Sequence, residues 1–95
     1  MFEKSILLDR LDEVVTLFGS FDENVNLVRK EYNVELILRG SELKIIGDVE
    51  DVAKASRAVD GLLNLINRGE ALTDQNVRYV ISLVNDGNDD KIADI

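Results

Sequence analysis

The residues whose types and spacing could do chemistry fall in the first half of the chain. Gly19-Ser20-Phe21-Asp22 makes a corner between two helical patterns, and such a corner can turn backbone amides towards a phosphate. Arg29, Lys30, Arg39 and Lys44 are the densest basic group, following that corner along the second helix and into a hairpin. A basic strip beside an amide-lined corner is the arrangement that holds a sugar–phosphate backbone. Gly19, Ser20, Arg29, Lys30, Arg39 and Lys44 are therefore the candidate RNA contacts. Two features weigh the other way. Asp22 and Glu23 place carboxylates at the start of the second helix, where they are expected to satisfy its amides and repel phosphate. Glu31, Glu35 and Glu42 balance the basic group, and no aromatic residue is interleaved to stack a base. An ordinary capped junction with a solvated charged surface is the reading to set against RNA contact.

Other chemistry finds little purchase. The chain has no Cys and no His, so disulfides, thiolate catalysis, cysteine zinc sites and the commonest general base are excluded. The neighbouring carboxylates Asp12/Glu13, Glu50/Asp51 and Asp89/Asp90 point in different directions on a helix and do not converge. Asp86-Gly87-Asn88-Asp89-Asp90 offers oxygen ligands without the spacing of a calcium loop. No catalytic, cofactor-binding or metal-ligating residue is assigned.

A formal charge of −8 argues against indiscriminate adhesion to nucleic acid or anionic membrane. Four aspartates against one lysine leave −3 beyond residue 85, so the body carries −5. The longest apolar run, Ile6-Leu7-Leu8, is far short of a membrane span, and no signal-peptide pattern opens the chain. A cytoplasmic location is the expectation. Ninety-five residues, 45% apolar, suit one small domain that hides only about 60–65% of its unfolded surface.

The elements that must position these residues follow from periodicity. Ser5 to Leu8 reads as a first strand. Asp9 is placed to cap a helix with Asp12 at its third position, and Leu11, Val14, Val15 and Phe18 form one apolar stripe ending at Gly19. Ser20 and Glu23 have capping-box spacing, with Asp22 a rival cap. The second helix shows Phe21, Val25, Val28 and Tyr32 on one face, and Asn33 suits the turn out of it. Val34, Leu36 and Leu38 alternate with Glu35 and Ile37, then Arg39-Gly40-Ser41 turns the chain into Leu43 and Ile45, a hairpin. Asp48 opens a long third helix with a seam of Val52, Ser56, Val59, Leu63 and Ile66, flanked by Val49, Ala53, Leu62 and Leu65, and Gly69 ends it. Thr73 caps a fourth helix whose buried stripe is Val77, Val80, Ile81 and Val84, leaving Tyr79 and Leu83 to one side. The acidic stretch 85–95 reads as a tail or a truncated linker.

The expected architecture is α+β in two layers, β-α-α-β-β-α plus a C-terminal helix, with helices on one face of a short antiparallel sheet. That order is KH-like, and the glycine corner sits where a KH domain carries its phosphate-clamping Gly-x-x-Gly loop; here Asp22 stands in place of the second glycine.

Leu17-Phe18-Gly19, Asp22-Glu23-Asn24, Arg39-Gly40, Ile46-Gly47 and Asn67-Arg68-Gly69-Glu70-Ala71-Leu72-Thr73, in this order and spacing, resemble the amino-terminal region of the PhoH family. The resemblance covers roughly residues 6–84, and residues 1–84 are expected to form the KH-like amino-terminal domain. It implies a fragment of a P-loop ATPase associated with phosphate starvation and RNA metabolism. The chain contains no GxxxxGK[ST], so ATP and Mg²⁺ are expected only at a domain outside it. The implied role is that of an accessory, non-catalytic module that tethers, regulates or assembles its own ATPase domain, with homo-oligomer contacts expected; the alternative is a single-stranded RNA-binding module.

Overall fold

The computed structural model describes residues 1–88. Strand β1 (Phe2–Leu7) leads into helix α1 (Leu11–Phe18), a 3-10 turn (Ser20–Asp22) and helix α2 (Glu23–Tyr32). Strands β2 (Glu35–Arg39) and β3 (Glu42–Gly47) form the hairpin, and helices α3 (Val49–Asn67) and α4 (Asp74–Asn85) complete the order. This is the α+β succession expected, with four helices on a three-stranded antiparallel sheet of order β1-β3-β2. β3 is central because the hairpin binds one of its sides and β1 returns to the other, with Lys4 and Leu36 both opposite Ile45.

Alternation decides which side of the sheet is covered. Leu36, Leu43 and Ile45 share the inner face and are buried under the helices. α3 is the hub, in contact with β1, β3, α1, α2 and α4. So many neighbours bury nine of its nineteen residues, including Ala55, Ala58 and Gly61, where a methyl group or a bare hydrogen lets other elements approach. Val49 and Ala53, expected beside the seam, are exposed, because they lie on the flank of α3 turned away from the buried seam. The fourth helix follows its spacing: Val77, Val80, Ile81 and Val84 are buried, Leu72 and Leu83 lie against the core, and Tyr79 is half exposed.

Several boundaries differ from the expectation. β1 starts at Phe2, and Leu8 lies beyond its end, buried. Arg10, not Asp9, is the N-cap of α1, so Glu13 rather than Asp12 is its third residue. The Glu13 carboxylate, itself buried, accepts the Arg10 backbone N–H at 3.1 Å and fills the capping role from inside the helix. Leu11 and Val15 are 79% and 65% exposed. The reason is rotational: Leu17 faces the core with Val14 and Phe18 beside it, while Leu11 and Val15 sit on the far flank of an apolar arc wider than the contact that covers it. Phe21 does not join Val25, Val28 and Tyr32 on the buried face of α2 and is 98% exposed. It precedes the helix in a left-handed conformation, so helical spacing does not reach it. Of the stretch 85–95 read as a tail, Asn85 ends α4, and residues 89–95 lie outside the described part.

Candidate nucleic-acid interface

The corner between α1 and α2 is built on backbone shape rather than on side-chain caps. Gly19 has φ 71° and ψ −170°, a region closed to residues with a side chain. A Cβ there would also stand 2.8 Å from the Asn24 amide nitrogen. Phe21 (φ 55°, ψ 31°) and Asp22 (φ 58°, ψ 25°) follow, both left-handed without being glycine. Asn24, almost fully buried, donates through Nδ2 to the Thr16 carbonyl at 3.1 Å, in the last turn of α1 where carbonyls lack full intrahelical partners. One amide side chain thus holds the two helices at their angle, a role that spacing alone did not reveal.

Ser20 opens the 3-10 turn, and Asp22 is the N-cap of α2 rather than Ser20. Asp22 makes no side-chain capping bond, so the expectation that it satisfies the first amides of α2 is overturned; left-handed φ and ψ carry its carboxylate away from the usual capping geometry. Its charge and that of Glu23 remain at the positive end of the helix, where they oppose an incoming phosphate.

The four basic residues are divided between two places. Arg29 lies on α2, where its guanidinium donates to Asn26 Oδ1 and, at 3.2 Å, to the Leu36 carbonyl of β2. That second bond joins helix to strand and gives Arg29 a structural task. Lys30, beside it in sequence, is exposed. Arg39 and Lys44 share the outer face of the sheet. Arg39 stands directly opposite Glu42, and Lys44 Nζ is 3.6 Å from Glu3 Oε2. Pairing sets three rows on that face: Leu7, Glu42 and Arg39; Ser5, Lys44 and Ile37; Glu3, Ile46 and Glu35. Three glutamates accompany two basic residues, a weak field for RNA. The corner with Gly19 and Ser20 belongs to the helical layer on the other side, so the fold does not gather the six candidate residues into one surface.

Two further features were invisible in the spacing. A cleft of about 360 Å³ lies between α2 and α4, lined by Leu27, Glu31, Arg78, Ile81, Asn85 and Asp86 among others. At its end the Tyr32 hydroxyl donates to Asn85 Oδ1 at 3.0 Å, and Asn85 Nδ2 donates to Glu31 Oε2 at 3.0 Å, tying the two helix ends together. Asp60 on α3 has its carboxyl pushed above the usual range by burial, with Lys4 of β1 opposing the shift. Among the described residues no group of three or more potential metal ligands occurs, and no helix is long and apolar enough to cross a membrane.

Comparison with known proteins finds relatives that are all PhoH-like proteins. The one from Mycobacterium tuberculosis (strain ATCC 25618 / H37Rv) is 35% identical over 79 residues, 82% of this chain and 22% of the relative. That of Bacillus subtilis (strain 168) is 35% identical over 72 residues, 76% of this chain and 23% of the relative. That of Mycobacterium leprae (strain TN) is 38% identical over 79 residues, 82% and 23% of the two lengths. The chain spans less than a quarter of the length of these curated relatives. No family model matches the chain. No solved structure matches it.

Proposed function

We propose that this chain, which matches a segment of the PhoH-like proteins, is a non-catalytic accessory module of a larger PhoH-like ATP-binding protein. It tethers, orients or helps assemble an ATPase part that lies outside these residues. The observation that carries the proposal is one of coverage: relatives match over 76–82% of this chain but only 22–23% of their own length, and the 95 residues hold no P-loop. The divided basic residues and the acidic corner support a scaffold more than a nucleotide site. Calorimetric titration of the chain with ATP and Mg²⁺ is expected to give no heat of binding. Micromolar affinity for ATP would overturn the proposal.

One observation favours the alternative of single-stranded RNA binding. Asp22 forms no capping bond, so it does not occupy the α2 amides as its position had implied. On that reading Gly19, Ser20 and the α2 amides hold phosphate while Lys30 steers it. Binding of a short RNA, titrated with salt, decides the matter: true phosphate contacts give an affinity that falls steeply as salt rises, and Lys30→Glu should weaken it. No binding at low salt retires the alternative.

A further inference from the structure

We propose that the outer edge of β1 pairs antiparallel with β1 of a second copy of this chain, about a two-fold axis through Ser5, joining two three-stranded sheets into one of six strands. The two edges of the sheet are treated differently by the fold. On β2 the outer edge is engaged by α2 at the Leu36 carbonyl, which accepts the Arg29 guanidinium. On β1 the outer edge has no strand beside it among the described residues.

Parity of the ladder says which groups that edge presents. Arg39 and Glu42 flank a two-residue loop, Gly40-Ser41, and such a loop closes on a hydrogen-bonded pair. Glu42, Lys44 and Ile46 therefore bond to β2, and the outward-facing Leu36 carbonyl agrees with this alternation. Leu43, Ile45 and Gly47 are left to bond Ile6, Lys4 and Phe2, and the Leu8 N–H reaching the Ser41 carbonyl at 2.7 Å continues the same series. The N–H and C=O groups of Glu3, Ser5 and Leu7 accordingly point away from the sheet, and no loop or helix backbone among the described residues bonds to them.

The side chains then select one register. A two-fold axis through Glu3 sets two glutamates face to face, and one through Lys4 does the same with two lysines. An axis through Ile6 engages only Ser5 and Leu7. An axis through Ser5 places Ser5 against its copy, Glu3 against Leu7 and Lys4 against Ile6 of the second chain. That arrangement uses all three outward rows, opposes no like charges and covers Leu7, which is 61% exposed in the single chain. Glu3 and Lys4 so act as register selectors on an edge that would otherwise pair indiscriminately. The pairing goes beyond the accessory role and holds for the chain whether or not an ATPase accompanies it.

The test combines sedimentation velocity over a concentration series with residue-resolved amide exchange on the 95-residue chain. A dimer is expected, in which the amides of Glu3, Ser5 and Leu7 gain about tenfold or more protection as concentration rises. The amides of Lys4 and Ile6, bonded within the chain, are protected throughout. Ser5→Pro removes an outward N–H without touching the bonds to β3, so the circular dichroism is retained while association weakens about tenfold or more. Should that variant fold poorly, Ser5→Asp serves instead: it sets like charges across the axis and weakens the dimer, and mixing it with Ser5→Lys chains restores association. A chain that stays monomeric to about 1 mM, a dimer whose Glu3, Ser5 and Leu7 amides remain unprotected, or a Ser5→Asp dimer of unchanged affinity would each overturn the proposal.

Discussion

The two helix-to-helix junctions solve one problem in opposite ways. Between α3 and α4 the solution is local. Gly69 takes φ 83°, the Thr73 hydroxyl accepts the Asn76 N–H at 3.1 Å, and Asn76 Nδ2 donates to the Ala71 carbonyl at 2.8 Å. Every partner there lies within five residues of the other and on the surface. Between α1 and α2 the N-cap residue Asp22 makes no capping bond, two non-glycine residues are left-handed, and the stabilising bond is made by a buried amide eight residues from its acceptor. A local cap works before the domain has folded. The Asn24 bond gains its strength only when packing excludes water from it, so the first corner depends on the core and the second does not.

The contrast can be broken at three points, in descending order of effect. Gly19→Ala meets two penalties together, a disallowed backbone conformation and a Cβ 2.8 Å from the Asn24 side chain. The expected cost is about 3 kcal/mol or more, read as a fall in Tm of at least roughly 10 °C for a domain of this size. Asn24→Ala removes the buried amide and leaves the Thr16 carbonyl without its partner, at a cost of about 2 kcal/mol in chemical denaturation. Thr73→Ala removes an exposed cap and should cost about 1 kcal/mol. Equal losses at Asn24 and Thr73 would erase the distinction between a corner set by the core and one set by its own residues. A loss at Gly19 as small as that at Thr73 would show that the corner can relax.

The same distinction explains how much could be read in advance. The stripe Val77, Val80, Ile81 and Val84 is buried as its spacing indicates, because α4 presents one narrow apolar face and its remaining flanks are polar or border the core. The stripe drawn through Leu11, Val14, Val15 and Phe18 is half misplaced, because the apolar arc of α1 also includes Leu17 and the sequence does not say which flank is covered. Glu13 looked like one of an adjacent acidic pair and is a buried capping residue. Among the candidate contacts, Arg29 could be recognised as basic, but its bond to the Leu36 carbonyl requires that α2 lie against β2.

By itself the sequence determined the order of elements, the hairpin about Gly40, the end of α3 near Gly69 and the Thr73 cap, since each depends on residues a few positions apart whose preferences are fixed by backbone sterics and short-range hydrogen bonds. Only the tertiary structure decided which flank of α1 is buried, that Phe21 and Asp22 adopt left-handed angles, that the basic residues divide between two layers, and that α2 engages the edge of β2 while no strand lies beside that of β1 among the described residues. Those outcomes are settled by contacts between segments distant in the chain, where many arrangements satisfy the local rules and the closest packing selects one.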